Sequence, residues 1–389
     1  MVDPTALAVA RRADVPPFQV MEVLTRAAER QRQRGDVVSL AAGQPSTPAP
    51  ASVLDAASEA LHRHPLGYTE QLGLHDLRRA IAGHCHRSYG IAAEAEDVVV
   101  TTGASGAFLL AFLAAFDAGD RVALARPGYP AYRNILAALG CEVVELPCDA
   151  GTRFQPTVAM LEELDEPVQG LIVASPANPT GTVLSAGELA DLAAWCEARG
   201  VQLISDEIYH GISYREPLST AWEYSREAVV VNSFSKLWSM TGWRLGWMLL
   251  PPRLRRAVDS LAGNFTLCPP AVSQYGALGA FSDSAYAEVK GHVDRYRTNR
   301  ELLLSGLADL GLDRVAPADG AFYAYADVSA WTDDAMAWCG RLLDDTGVAV
   351  VPGVDFDPVD GHHFVRMSFA GATDDIAEAL ARLATWLKP

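Results

Sequence analysis

Between residues 98 and 250 the chain repeats one pattern: a short apolar run rich in β-branched residues, then a longer stretch with apolar residues at helical spacing. The runs fall at 98–101, 121–125, 141–146, 171–174, 202–205, 229–232 and 245–250, and helical stretches such as 104–116, 131–139 and 188–198 lie between most of them. Strand–helix alternation of this kind makes a mostly parallel sheet covered on both faces, so the expected fold class is α/β. From about residue 286 the pattern changes to a long helical segment ending near 310, short strands around 321–326, 348–351 and 364–369, and a last helix at 374–387. That reads as a smaller α+β unit, on which the N-terminal segment, with its helix near 18–34, is expected to pack. The expected division is a large domain at 46–288 and a small domain made of 1–45 and 289–389.

A formal charge of −17 argues against a nucleic-acid surface and against binding to anionic membranes. The first 18 residues carry Asp3, Arg11, Arg12 and Asp14 without a sustained apolar core, which is not a secretory signal. The longest apolar run, 107–116, is too short to span a bilayer. Six cysteines are scattered with no Cys-x-x-Cys pair and read as reduced thiols of a cytoplasmic protein. His84 and His86 flank Cys85, and His362 and His363 adjoin Gly361, but no second ligand pair stands at metal spacing, so no metal is expected.

Chemistry concentrates in four segments, each just after a strand, where open α/β sheets bind ligands. Only three lysines occur, and Lys236 alone of them follows an apolar run and sits among hydroxyls and aromatics, in Ser233-Phe234-Ser235-Lys236-Leu237-Trp238. A lysine in such a turn is a candidate imine-forming amine, a role arginine cannot fill. In the same segment Ser233 and Ser235 can donate to a phosphate, and Arg244 adds fixed charge. Thr101-Thr102-Gly103-Ala104-Ser105-Gly106 lies between a strand and a helix, where exposed amides and the helix dipole suit an anion, although many α/β proteins place an ordinary glycine turn here. Ser175-Pro176-Ala177-Asn178-Pro179-Thr180-Gly181 is a loop stiffened by two prolines that presents one amide side chain. In Ser205-Asp206-Glu207-Ile208-Tyr209 an aspartate follows an apolar strand, a costly place unless it caps a helix or meets a cation.

These segments, taken in order, closely resemble the class I/II aminotransferases of fold type I that use pyridoxal 5'-phosphate (PLP), the group that includes bacterial aspartate aminotransferases. The shared motifs are S-P-x-N-P-T-G, S-D-E-x-Y and S-x-S-K with arginine eight residues later, and the likeness runs from Gly43-Gln44-Pro45 to Val365-Arg366-Met367-Ser368. The resemblance implies a large domain with a mostly parallel seven-stranded sheet and a smaller α+β domain. It implies that Lys236 forms a Schiff base with PLP, that Asp206 pairs with the ring nitrogen, and that Tyr209 and Asn178 bond the ring hydroxyl. Tyr129 would stack on the ring, and Gly103, Ala104, Ser105, Ser233, Ser235 and Arg244 would hold the phosphate. Tyr68 would reach the phosphate of the neighbouring subunit in a homodimer. Arg366 would clamp the substrate α-carboxylate, helped by Asn178 and the backbone of Gly43.

The implied reaction moves an amino group from an L-amino acid to a 2-oxo acid by a ping-pong mechanism. A carbon–sulfur lyase on the same fold would share these residues and is the alternative. A DNA-binding regulator carrying such a domain fits poorly, because Gly43 comes too early and the charge is acidic. The usual Gly-Glu-Pro reads Gly43-Gln44-Pro45, and Ala104 stands where bulky residues are common. An acidic substrate needs a second cation. The segment 261–270 has none, Arg63 and Arg133 read as surface charges, and Phe18 can add an apolar wall. The expected donor is aspartate or glutamate, or a neutral aliphatic amino acid such as alanine or valine, with a slight tilt to the neutral class.

Overall fold

A computed structural model describes residues 9–215 and 217–388. Its central sheet has seven strands in the spatial order Val98–Thr101, Gly246–Leu249, Val229–Ser233, Gln202–Asp206, Gly170–Ala174, Arg121–Arg126 and Glu142–Pro147. All run parallel except Gly246–Leu249, which is antiparallel to both neighbours. The expected α/β class with a mostly parallel sheet is what the chain forms.

The side-chain period of two explains why the central strands read as unbroken apolar runs. Val98, Val100, Leu171, Val173, Leu203 and Val230 point to one face, where helices His75–Tyr89 and Ala186–Arg199 bury Leu77, Ile81, Leu189 and Leu192. Val99, Ile172, Ile204, Val229 and Val231 point to the other, against Phe108 and Phe112 of Gly103–Ala115 and Leu254 and Val258 of Pro252–Phe265. With apolar cover on both sides, the carboxyl ends of these strands are the free edge on which a polar site can be built.

After the sheet, the 27-residue helix Asp283–Asp309 passes unbroken through the boundary expected at 288/289 and packs on the last helix, Thr373–Trp386. A three-stranded antiparallel sheet follows in the order Val351–Pro352, Phe364–Ser368, Tyr323–Asp327. The N-terminal segment packs against these elements. Val38–Ser39 pairs in parallel with Val348–Ala349. Helix Gln19–Arg34 buries Val20 and Ala27 against Tyr325, Leu343, Val351 and Phe356. All six cysteines are unpaired, and no helix among the described residues is long and apolar enough to cross a membrane.

Phe112 is fully buried on the helix whose start faces the site. Phe112→Ala is expected to lower stability by about 3–5 kcal/mol, read as a shift in the urea midpoint at constant slope.

Candidate active site

One cavity of about 300 Å³ opens at the carboxyl edge of the sheet. Ala104 and Ser105 reach it from the first turn of helix Gly103–Ala115, Tyr129 from the turn after Arg121–Arg126, and Asn178 from the loop after Gly170–Ala174. Asp206 ends its strand, Tyr209 lies one turn on, and Ser233, Ser235 and Lys236 come at and just after the end of Val229–Ser233. Arg366 projects from the strand Phe364–Ser368, and Gly43 and Phe18 come from the N-terminal segment. Residues far apart in sequence therefore meet because most of those from the large sheet stand at or just after the ends of neighbouring strands.

Of the residues expected to hold cofactor or substrate, only Gly103 and Tyr68 do not line the cavity. Gly103 lies just behind it with φ +74°, and a Cβ there would come within 2.6 Å of the Arg244 guanidinium. The glycine thus gives both the left-handed turn and room for the cation. Tyr68 is 85% exposed and stands outside its own chain's cavity. Arg63 pairs with Glu59 at 2.8 Å and Arg133 with Glu145 at 3.2 Å, and neither lines the cavity. Arg133 is therefore an ion-paired residue with a largely covered side chain rather than the solvated surface charge expected.

The electrostatics follow from burial. Lys236 Nζ donates to the Gly43 carbonyl at 2.7 Å. Burial, with Arg366 adding repulsion, lowers its pKa to about 8, against a partial opposing pull from Asp206. Asp206 accepts the Ile208 amide at 3.0 Å on one oxygen and the Tyr132 hydroxyl on the other. Burial outweighs these donors and raises Asp206 to about 6. Such a carboxylate is short of a cationic partner.

Arg366 donates to Asn178 Oδ1 at 3.0 Å and to the Ala41 carbonyl at 2.9 Å, and lies over the rings of Tyr323 and Phe356. Its Nε is buried without a partner, so an anion can still be received. At the other end of the cavity Ser233, Ser235, Thr241, Arg244 and the first turn of helix Gly103–Ala115 converge. The Ser233 hydroxyl donates to Ser235 Oγ at 2.9 Å, and Arg244 donates to the Thr241 carbonyl at 2.9 Å. Hydroxyls, a guanidinium and a helix start suit a phosphate dianion.

Sequence reasoning missed two tyrosines and part of the apolar wall. Tyr132 lies three residues after Tyr129, where helix Pro130–Leu139 brings positions three apart to one face, so the spacing was a usable signal. Tyr323 comes from a C-terminal strand, and its hydroxyl meets that of Tyr209 at 2.7 Å. A Cβ on Gly43 would reach within 2.4 Å of the Tyr323 hydroxyl, a reason for glycine there that only the fold reveals. Val20, Met21 and Leu24 extend the apolar wall begun by Phe18.

Comparison with known proteins identifies the family. The family described as aminotransferase class I and II matches residues 35–383. The chain is 61% identical, over 97% of its length and 98% of the relative's, to the valine–pyruvate aminotransferase of Mycobacterium tuberculosis. It is 34% identical, over 95% of both chains, to the aspartate/prephenate aminotransferase of Thermus thermophilus. A crystal structure of an aminotransferase from Mycobacterium tuberculosis superposes with a TM-score of 0.97 at 60% identity, covering 98% of this chain and 99% of the other. The aspartate aminotransferase of Thermus thermophilus with maleate gives 0.93 at 32% identity, over 98% and 100%. The chain belongs to the class I and II aminotransferases, and is a fold-type I, aspartate aminotransferase-like transaminase.

Proposed function

We propose that this transaminase works with PLP, takes the amino group from a neutral aliphatic L-amino acid, and passes it to a 2-oxo acid such as pyruvate, as a cytoplasmic homodimer. The observation that carries the reading is one cavity holding an amine lowered to about 8, a buried carboxylate short of a cation, and a buried guanidinium with a free Nε. Those three groups and the hydroxyl-and-arginine cradle fit the parts of PLP and of an amino acid. Bound there, PLP supplies an aldehyde carbon that captures amines and a ring that draws electrons from the carbon losing its proton.

The chain's own groups then have distinct tasks. Gly103, Ala104, Ser105, Ser233, Ser235 and Arg244 would hold the phosphate, and Tyr68 of the partner subunit would complete that cradle. Asp206 would face the ring nitrogen and keep a proton on it, which gives the carboxylate its missing cation. Tyr132 holds Asp206 in register. Tyr129 would lie against the ring face, and Tyr209 and Asn178 would reach the ring hydroxyl. Arg366 binds the substrate α-carboxylate, and Asn178 and Ala41 keep the guanidinium aimed. Lys236, once its amine is free and neutral, takes the proton from the substrate α-carbon and later returns one. This is a ping-pong cycle, with the product oxo acid leaving before the second enters. Large and small domains at 46–288 and at 1–45 with 289–389 would enclose the cavity between them.

The donor class follows from what the cavity lacks. Its cations among the described residues are Lys236, Arg244 and Arg366, and each already has a task, so this chain leaves none of its own there for a distal carboxylate. Phe18, Val20, Met21, Leu24 and Ile208 supply apolar surface instead. The relative at 61% identity is named for valine and pyruvate. The lyase alternative is set aside, since the relatives compared above are transaminases.

Four outcomes are expected. With PLP bound and no oxo acid present, L-valine should convert the cofactor to its amine form faster than L-aspartate does. A preference for aspartate would contradict the donor class. Lys236→Ala should lower turnover by at least about 10²–10⁴-fold, the scale of a lost general base, and Arg366→Ala should weaken amino-acid binding by roughly 2–5 kcal/mol. Because the Lys236 ammonium loses its proton near pH 8, trapping of this amine by an aldehyde probe should rise through pH 8 and level off. A rise that continues towards pH 10.5 would show an ordinary lysine.

A further inference from the structure

Helix Gln19–Arg34 begins with no side-chain cap of its own, because Phe18 stands at the capping position and offers only its backbone carbonyl, which accepts from the Met21 amide at 2.9 Å. The amides of Gln19 and Val20 would be orphaned and the dipole would leave positive charge at that end. Both needs are met from the far end of the chain. Asp355 Oδ1 accepts from the Gln19 amide at 3.0 Å, and Oδ2 from the Val20 amide at 2.7 Å. Asp355 is itself buried, on the short turn Gly353–Asp355.

That turn is also tied to the loop carrying Tyr129. The Gly128 amide donates to the Phe356 carbonyl at 2.9 Å, Arg133 donates to the Asp355 carbonyl at 3.0 Å, and Arg126 pairs with Asp357 at 2.7 Å. Phe18 packs edge-on against Tyr129 with ring centroids 6.0 Å apart. Phe18, Val20, Met21 and Leu24, which all line the cavity, belong to the stretch that Asp355 caps. One carboxylate therefore fixes where the apolar wall stands relative to the ring face of Tyr129.

We propose that Asp355 is a positioning and specificity-determining residue: by capping helix Gln19–Arg34 from across the chain, it sets the wall against which the donor side chain packs and so governs selection among neutral aliphatic amino acids. The inference rests on the aliphatic-donor reading above. Asp355 does not line the cavity, and both of its carboxylate oxygens are taken up by the amides of the helix start. A helix start that loses both acceptors frays over its first turn, and that turn carries the wall. A branched side chain long enough to reach the wall loses contact when it moves, whereas the single methyl of alanine has little contact to lose.

The test uses the PLP-loaded enzyme and its Asp355→Ala and Asp355→Asn variants, with L-valine and L-alanine as donors and amide hydrogen exchange as a second readout. Asp355→Ala should raise KM for L-valine about tenfold more than KM for L-alanine, with kcat falling less than KM rises. Amides 19–24 should exchange faster while those of 28–34 keep their protection. Asp355→Asn, which retains one acceptor, should fall between wild type and Asp355→Ala, and it carries the test if the alanine variant does not fold. Equal losses with both donors, a kcat loss without a KM shift, or unchanged exchange at 19–24 would overturn the proposal. If the wild-type enzyme turns over neither donor, the aliphatic reading itself falls, and the selectivity claim falls with it whatever the exchange shows.

Discussion

The site depends on a carboxylate that the protein cannot comfortably ionise alone. Asp206 ends a strand buried on both faces, and its two protein donors do not offset the loss of water, so it is raised to about 6. A buried acid of this kind has a low free energy only when a cation is set against it. The sheet makes that arrangement rigid: the strand's neighbours Gly170–Ala174 and Val229–Ser233 hold it in a parallel ladder on both sides. The neighbouring Val229–Ser233 strand then delivers Lys236, an amine lowered to about 8 by the same burial and by the nearby Arg366 guanidinium. One act of desolvation thus prepares both an acid that wants a positive partner and an amine that gives up its proton near pH 8 rather than 10.5, so that a fraction of it is neutral at physiological pH.

The second organising element is Arg366, which joins regions of the chain that no local interaction would bring together. It bonds Ala41 of the N-terminal segment and Asn178 of the large sheet's loop while itself belonging to the C-terminal sheet. Three regions of the chain must be placed correctly for its guanidinium to be aimed, so a site that recognises a carboxylate also reports on the assembled fold. Asp355 has a comparable role nearby in the same C-terminal region, where it anchors a helix start whose sequence supplies no cap.

Much of this was legible in the residues alone, for identifiable reasons. The unbroken apolar runs such as Val98–Thr101 and the longer apolar stretch 104–116 are local signals, and they marked the sheet, its helices and the strand ends. Lys236, Asp206 and Asn178 stood out because each breaks the chemistry of its surroundings just after a strand. What escaped was determined by pairing distant in sequence. Tyr323 reads as an ordinary strand tyrosine until the fold sets its hydroxyl against Tyr209 and its bulk against Gly43. Arg133 reads as a surface charge until Glu145 and the Asp355 carbonyl are brought to it. Asp355 gives no local sign at all, since its partners lie 335 and 336 positions away.

The central claim is that Lys236 is the amine that meets the cofactor. With only Lys236, Lys290 and Lys388 in the chain, that claim has a clean chemical readout. The protein would be loaded with PLP, reduced with borohydride, digested, and the peptides weighed to locate the added mass. The account predicts one pyridoxyl group per chain, on the peptide containing Lys236. Label on Lys290 or Lys388 instead, or no stable label at all, would contradict it.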